Sequence, residues 1–522
     1  MQYFLKYKLQ LIILQLIIYL IYCLNELKKL IPFYFKNSDP AYEYLINGIN
    51  LVYGMSPGHA DHPGSTLQWL LSLTNRFYFM FFGVSINLKT DFVNYPENYA
   101  VFFSLVSMVL HILVLILITL KLIKIFDNKY FAFYPFAYLI CCLGLLDQVI
   151  GIKPENLLLF FSNLFLFAIL HFEDKKNFNK YLPAIIYGSI FALGISTKMT
   201  FILLLPIILF ITGLKAKLLF IFIFILEFLI INLKLIGVFS IKWFVNIFIN
   251  GGRYGQDQSI NIIDIGSNVK NIFIYYPYLA INIFIIFGCL ILGKYKEIIK
   301  SFDNRVYRIS FIFILFTSLL IFKDSLPRDF IILLPFLSLL TLINVIYLFK
   351  IIKRGKELLG ITLMLIILIL ISKDNSWIGN DKKNISKKSY ENFVEAMSTK
   401  GNIVISDYDA PTQFSALQFG NAMYGNSAVN NEIDAKYPTS LFIVGSTIYN
   451  GKVDVIGCKL FSNFLKEDRK IFVLTRSLND LRVRIISSPH SYNWTYSSKY
   501  VFFPDSGLDW KIYEVIAAEC KK

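Results

Sequence analysis

The stretch LLFIFIFILEFLIINLKLIG (residues 218–237) decides the class of this protein. Its length and apolar character match the roughly 17–25 residues that an α-helix needs to cross a bilayer. Similar runs recur along the chain, for example ITLMLIILILIS at residues 361–372. The 522 residues are 56% hydrophobic and only 16% charged, whereas an ordinary soluble domain is about 25% charged. We therefore predict a polytopic α-helical membrane protein.

The apolar runs predict about eleven transmembrane helices. They lie at residues 9–24, 98–120, 131–146, 154–172, 181–196, 199–214, 218–238, 272–293, 309–322, 329–349 and 357–372. The fifth and sixth are short and meet at STKMT (residues 196–200), so they form either a tight hairpin or one re-entrant unit.

The net charge of +16 follows the predicted topology. With the N-terminus in the cytoplasm, the cytoplasmic loops hold 19 Lys and Arg in 51 residues, and the opposite side holds 12 in 121. This asymmetry is the positive-inside rule. The basic charge therefore indicates membrane orientation and no nucleic-acid partner, and it places the C-terminus outside.

The tail after the last predicted span changes character. Residues 373–389 are polar and predict a linker between a membrane domain, residues 1–372, and residues 390–522. In the last segment, short β-prone stretches alternate with polar or helical ones, which predicts a mixed α/β extracytoplasmic domain. Cys458 and Cys520 fall in it and either form one disulfide or remain two thiols.

The first outer loop, residues 25–97, begins with two carboxylates in KNSDPAYEYL (residues 36–45). Carboxylates near hydrocarbon are costly and usually functional. Asp39 is our candidate catalytic base, although Asp before Pro also favours a helix N-cap, and one residue can do both. Glu43 either contacts substrate or lies on the solvated face of the helix that follows.

The same loop continues with SPGHADHPGS (residues 56–65), where Gly and Pro exclude a regular helix. His59, Asp61 and His62 are candidate substrate contacts. They could instead brace the loop or hold a divalent metal ion, and we assign no metal ligands. The stretch TLQWLLSLTNRFYFMFFG (residues 66–83) predicts a helix lying in the membrane interface.

Four cations lie at predicted outer ends of spans: Lys153, Lys198, Arg253 and Arg328. Lysine and arginine at such places also snorkel to lipid phosphates, but four on one face favour an anionic substrate. Glu155 either orients Lys153 or contacts the acceptor.

These residues fit one kind of chemistry. A carboxylate at the interface can act as general base toward a hydroxyl. If a sugar is attached to a lipid phosphate, the phosphate departs as a stable anion and needs no proton. One carboxylate plus cations at the departing phosphate is then sufficient.

The order of the motifs resembles that of the GT-C fold glycosyltransferases, which include the protein O-mannosyltransferases and the lipid A aminoarabinose transferase. The resemblance covers residues 1–372 and rests on the segments Asp39, HPG (62–64), KPE (153–155), TK (197–198) and PRDFIILLP (327–335). In this sequence Pro40 follows Asp39 where family members often have a second acid, and HPG stands where they have HPP.

The resemblance implies an inverting glycosyltransferase of the bacterial inner membrane. It would take a polyprenyl-phosphate sugar from the bilayer, and its acceptor would be a hydroxyl of a glycan, lipid or protein on the outer face. Asp39 would be the base. The implied substrate contacts are Glu43, His59, Asp61, His62, Lys153, Glu155, Lys198, Arg253 and Arg328.

Three other classes remain open. A transporter or flippase of lipid-linked glycans also has many spans, but residues 1–200 and 200–372 show no repeat of the kind common in transporters. A polysaccharide polymerase or ligase is chemically closer, although its long loop is expected late in the chain. A non-catalytic anchor for the outer domain leaves the acidic first loop unexplained.

Overall fold

The computed structural model describes fourteen stretches of the chain. They are residues 2–31, 33, 41–57, 64–173, 181–233, 304–318, 331–351, 403–406, 413–422, 427–436, 441–444, 471–475, 492–501 and 511–520. The predicted spans 272–293 and 357–372, the linker 373–389 and Cys458 lie outside them.

Fourteen α-helices are found in the described residues. They are α1 (Gln2–Leu30), α2 (Ala41–Val52), α3 (Ser65–Phe82), α4 (Leu88–Asn94), α5 (Pro96–Phe126), α6 (Tyr134–Cys142), α7 (Leu146–Ile150), α8 (Pro154–Glu173), α9 (Tyr181–Thr197), α10 (Leu214–Ile231), α11 (Asn304–Ser318), α12 (Leu334–Ile351), α13 (Gln413–Ala422) and α14 (Asn430–Lys436).

Three helices in the described stretches are long and apolar enough to cross a membrane: Leu9–Leu30, Pro96–Phe126 and Pro154–Phe172. Shorter apolar helices are Tyr130–Cys142, Tyr181–Thr197, Met199–Phe210 and Ile331–Ile343. The chain is thus a polytopic helical membrane protein, as predicted. The number of eleven spans stays a prediction.

The predicted spans 131–146 and 199–214 are not continuous α-helices. The span at 131–146 is divided between a 3-10 helix, Lys129–Phe133, then α6 and a second 3-10 turn, Leu143–Leu145. The span at 199–214 is a 3-10 helix, Met199–Phe210, with Pro206 inside it. Proline has no N–H to donate and clashes with the preceding turn, which explains why a regular α-helix does not form there.

Residues 181–210 form a hairpin of an α-helix and a 3-10 helix, and the choice between two spans and one re-entrant unit stays a prediction. Helix α9 ends at Thr197, Lys198 is extended, and the 3-10 helix returns against α9. Gly194 permits this return, because a Cβ there would lie 2.4 Å from Cδ1 of Phe201. The hairpin therefore depends on a glycine opposite an aromatic ring.

The chain divides into two compact units. The first consists of Met1–Leu27, Ala60–Leu67 and Ser104–Trp377, and the second of Lys28–His59, Gln68–Phe103 and Ile378–Lys522.

The core of the first unit is aromatic and aliphatic. Phe165 of α8 lies at its centre, with the rings of Tyr187, Phe201 and Phe313 at centroid distances of 5.5, 6.0 and 6.1 Å. Polar side chains bridge the helices as well, for example where Ser189 donates to Glu227 across α9 and α10 at 2.7 Å. Such hydrogen bonds help to hold helices together in hydrocarbon, where apolar contact alone gives little preference.

The second unit combines helices from residues 28–103 with the C-terminal part. Helix α2 packs on α13, and α4 packs on α14. Glu97 fixes the chain before α2, since its carboxylate accepts from the Phe33 N–H at 2.9 Å and from the Tyr42 hydroxyl at 2.6 Å. The helices of the loop therefore have internal hydrogen bonds of their own.

Helix α3 has an exposed aromatic face. Trp69 and Phe77 lie about two turns apart and Phe81 one turn further, and they expose 43%, 45% and 65% of their surface. An apolar helical face of this kind is what a helix in the membrane interface presents to lipid. The interfacial position of α3 stays a prediction.

Five strands form one mixed sheet in the second unit. They are β1 (Ile403–Ser406), β2 (Leu441–Val444), β3 (Ile471–Thr475), β4 (Tyr492–Val501) and β5 (Lys511–Cys520), in the order β2-β1-β3-β5-β4. Strands β2 and β3 pair parallel with β1, and β5 pairs antiparallel with β3 and β4.

Asp91 closes the turn between α3 and α4. Its Oδ1 accepts from the N–H groups of Val84 and Ser85 at 2.9 and 2.8 Å, and its Oδ2 accepts from the Tyr99 hydroxyl at 2.7 Å. Burial alone would raise the pKa of Asp91, but these hydrogen bonds outweigh it, so the pKa lies below the ordinary value of 3.8.

We expect Asp91→Asn to lower the free energy of unfolding by about 1–3 kcal/mol at pH 7, because an amide cannot accept all three hydrogen bonds. A lowered pKa means that the carboxylate stabilises the fold above its ordinary pKa and loses this effect as the pH falls through the folded value. Thermal unfolding in detergent at pH 7 and near pH 3 measures both. An equal difference between variant and wild type at the two pH values would contradict the assignment.

Candidate functional site

The turn before α8 carries the KPE motif. The Gly151 N–H donates to the Asp147 carbonyl at 2.9 Å, the Lys153 N–H donates to the Gly151 carbonyl at 3.0 Å, and Pro154 begins α8. Proline suits this first helical position, since its fixed φ is already helical and its missing N–H would have no partner there. The turn leaves the Lys153 side chain half-buried and Glu155 buried.

Asn156 holds this turn from inside the helix bundle. Its Nδ2 donates to the Gly151 carbonyl at 3.1 Å, and its Oδ1 accepts from the Ser107 hydroxyl at 2.6 Å. Nε2 of His111, on α5, lies 3.3 Å from the same Oδ1. Asn156, Ser107 and His111 are all buried, so α5 fixes the turn through hydrogen bonds shielded from water.

Lys198 and Glu155 form a buried ion pair. Nζ of Lys198 lies 2.8 Å from Oε1 of Glu155, and each side chain is only 7% exposed. Charges removed from water at such cost persist only when they are paired. The pair joins the turn that ends α9 to the first turn of α8.

Gly64, the last residue of the HPG motif, and the residues after it contact the turn at the end of α9. The Gly64 N–H donates to the Thr197 carbonyl at 3.1 Å, and the hydroxyls of Thr66 and Thr197 are hydrogen-bonded. Gly64 has φ +55°, a left-handed value that glycine adopts without strain. The start of α3 is thereby joined to the end of α9.

Asn232 connects the start of α3 with the end of α9. At the end of α10 it accepts from the Ser65 hydroxyl, and its Nδ2 donates to the Ser196 hydroxyl at 2.8 Å. Within the first unit, three motifs that are far apart in sequence therefore meet. We name Gly64–Thr66, Ser196–Lys198 and Lys153–Asn156 the motif junction.

The structure places four of the ten candidate residues. Lys153, Glu155 and Lys198 belong to the motif junction, where Glu155 pairs with Lys198. Glu43 lies in the second unit on α2 and is 1% exposed, so the alternative that it occupies a solvated face is wrong. The other six lie outside the described residues: Asp39, His59, Asp61, His62, Arg253 and Arg328.

Several polar residues of the site were missed from sequence. Asn156, Ser107, His111, Ser65 and Asn232 all take part in the hydrogen bonds that hold the motif junction. The available signal was an amide or hydroxyl within an otherwise apolar run, as with Asn232 in LLFIFIFILEFLIINLKLIG. Polar side chains inside spans usually face a partner or a cavity.

The motif junction carries hydroxyl groups and two ammonium groups, of which that of Lys198 is buried against Glu155 and that of Lys153 is half-buried. Ammonium groups form short charge-assisted hydrogen bonds with phosphate oxygens. In the described part of the chain, no group of three His, Cys, Asp or Glu side chains is arranged to hold a metal ion.

No protein-family model matches the chain, and no curated protein matches it. Among solved structures it is similar to ArnT from Cupriavidus metallidurans bound to undecaprenyl phosphate, with a TM-score of 0.50 and 10% sequence identity over 97% of each chain. ArnT is a GT-C glycosyltransferase, the lipid A aminoarabinose transferase. The predicted resemblance to this class is thus confirmed at the level of the fold.

We expect the ion pair to appear as strong coupling in a double-mutant cycle. Glu155→Ala leaves the Lys198 ammonium buried without its carboxylate and should cost about 3–5 kcal/mol of stability. Lys198→Met combined with Glu155→Ala should cost clearly less than the two single changes added together. Denaturant unfolding in detergent measures the cycle, and additive costs would show that the two charges do not stabilise each other.

Proposed function

We propose that this GT-C fold protein is an inverting glycosyltransferase. It transfers a sugar from a polyprenyl-phosphate donor to a hydroxyl of a glycan, lipid or protein. The reaction takes place on the outer face of a bacterial inner membrane, with the N-terminus in the cytoplasm. Asp39 is the general base.

The observation that carries this proposal is the motif junction. Three short motifs, each weak alone, are brought together around a buried ammonium–carboxylate pair at helix ends. The proposed substrate is one whose phosphate the cations can bind and whose lipid tail remains in the bilayer, and the fold likeness to ArnT supports this choice.

The transfer step needs one proton acceptor. The acceptor oxygen attacks the anomeric carbon on the face opposite the phosphate, a C–O bond forms there, and the bond from that carbon to the phosphate oxygen breaks. The electron pair of the broken bond goes to the phosphate, and the hydroxyl proton goes to Asp39. Attack from the opposite face inverts the configuration at the anomeric carbon.

The cations act on the leaving group. Lys153, Lys198, Arg253 and Arg328 are the proposed phosphate ligands, and their hydrogen bonds strengthen as charge develops on the departing oxygen. Glu155 holds Lys198 in place. Glu43, His59, Asp61 and His62, from the first outer loop, are proposed to contact the sugar or the acceptor.

We expect Asp39→Asn to abolish transfer, because the amide cannot take the acceptor proton. In cells that express this variant, a lipid-linked sugar should accumulate relative to wild type at matched protein level. Mass spectrometry of extracted lipids measures the accumulation and identifies the sugar.

The matched control for this experiment is Asp127→Asn. Asp127 is exposed at the end of α5 with φ 43°, a conformation that asparagine also adopts readily. The control should leave the lipid pools unchanged. If the Asp39→Asn pools match wild type and lipid-linked glycan transport fails instead, the protein is a flippase.

We expect Lys153→Gln to weaken the binding of undecaprenyl phosphate by about 10–100-fold, the value of one charge-assisted hydrogen bond. Lys153 is suited to this test because its side chain is half-buried and its loss leaves the Lys198–Glu155 pair in place. Binding of the lipid to purified protein in detergent measures the effect. Lys215→Gln, an exposed lysine at the start of α10, is the control and should bind as wild type does.

A further inference from the structure

Asn156 is hydrogen-bonded on both sides of Lys153. The Asn156 N–H donates to the Lys153 carbonyl at 3.1 Å. Nδ2 of Asn156 donates at 3.1 Å to the Gly151 carbonyl, and the same carbonyl accepts the Lys153 N–H at 3.0 Å. Both backbone groups of Lys153 are therefore held by hydrogen bonds that involve Asn156, one directly and one through Gly151.

The Asn156 amide is itself fixed from α5. The Gly151 carbonyl can only accept, so it takes the Nδ2 side of the amide and Oδ1 is directed to Ser107 and His111. Oδ1 accepts from the Ser107 hydroxyl at 2.6 Å, and the Nε2–H of His111 donates to it over 3.3 Å. All three side chains are buried, so water does not compete for these hydrogen bonds.

Gly151 leaves the turn little room to move. A Cβ at this position would lie 2.6 Å from the Asp147 carbonyl oxygen, a backbone atom that cannot rotate away as the end of a side chain can. The same Cβ would lie 3.9 Å from Cγ of Lys153. The backbone that carries Lys153 is thus fixed by close packing as well as by hydrogen bonds, while the Lys153 side chain is only half-buried.

We infer that Asn156 is a positioning residue for the lipid phosphate and that it acts through Lys153. This inference rests on the proposed function, in which Lys153 is a phosphate ligand. Asn156 is completely buried, so its part is to hold the backbone from which the ammonium group extends. A backbone fixed in advance reduces the conformational freedom that the lysine loses on binding. All the residues involved belong to the first unit.

The test is a double-mutant cycle in lipid binding. We expect Asn156→Leu, which removes the amide, to weaken undecaprenyl phosphate binding by the purified full-length protein by about three- to tenfold, the cost of ordering one side chain on binding. In the Lys153→Gln background the same change should have an effect of less than about twofold, because the side chain through which it acts is gone. Equal losses in the two backgrounds would overturn the inference.

Asn163→Leu is the matched control. Asn163 lies seven positions further along α8 and is also completely buried. Its Nδ2 donates to the Tyr138 hydroxyl at 2.6 Å and to the Leu159 carbonyl at 3.0 Å. The control should lower the melting temperature and leave lipid binding within about twofold of wild type. A loss of binding as large as that in Asn156→Leu would mean that any damage to α8 has this effect, against the inference.

Gly151→Ala perturbs the turn by a different route. The added methyl group displaces the turn and leaves every polar group in place. We expect binding weaker by about three- to tenfold in this variant and no further loss when it is combined with Lys153→Gln. Wild-type binding by a folded Gly151→Ala protein would show that the position of the turn does not set the affinity, which contradicts the inference.

If Asn156→Leu does not fold, Ser107 decides. Ser107→Ala removes the closer donor to Oδ1 of Asn156 and should weaken lipid binding by about twofold or more, again only while Lys153 is present. Ser104→Ala is its control, since Ser104 is also buried on α5 and its hydroxyl has no hydrogen-bond partner among the described residues. Equal binding by the two serine variants would overturn the inference.

The same measurements separate the inference from the proposed function. If Lys153→Gln binds undecaprenyl phosphate as wild type does, Lys153 is not a phosphate ligand, and both that part of the proposed function and the inference fail. If Lys153→Gln binds weakly and Asn156→Leu binds as wild type does, only the inference fails.

Discussion

The buried pair between Lys198 and Glu155 is the constraint on which the first unit depends. An ammonium and a carboxylate held away from water each carry a desolvation cost of several kcal/mol, and only close contact offsets it. The contact requires the end of α9 and the first turn of α8 to stay in one relative position. The tight hairpin at Lys198 meets this requirement, because Gly194 lets Phe201 return against α9.

Hydrogen bonds between polar side chains fix the relative positions of further helices in the same way. Asn156 joins α8 to α5, and Asn232 joins α10 to the start of α3. In hydrocarbon, apolar surfaces gain little by preferring one neighbour over another, so a few hydrogen bonds and close contacts decide the arrangement. Asn156 belongs to the motif junction and Asn232 contacts two of its residues, so the same bonds that fix the bundle also fix the candidate site.

The sequence predicted the class of fold because length and hydropathy of a span are local properties. Runs such as residues 98–120 and 154–172 correspond to α5 and α8 within a few residues. The 3-10 segments were not predicted, since apolar composition is the same in either helix type. Contacts between distant residues could not be predicted either. Nothing in the local sequence indicates that Glu155 binds Lys198, 43 positions away, or that Glu43 is buried. Motif order predicted the candidate site residues, and only packing could show which of them touch.

The described carboxylates of residues 25–97 and of α8 also bear on the choice of base. A carboxylate that accepts several hydrogen bonds is stabilised in its charged form and is a weaker proton acceptor. Asp91 accepts three, and the pKa of its side chain is lowered accordingly. Both oxygens of Glu97 accept from donors within the second unit, and Glu155 is committed to Lys198. Each of these carboxylates takes part in hydrogen bonds or an ion pair that hold the structure. Taking up a substrate proton would weaken those interactions.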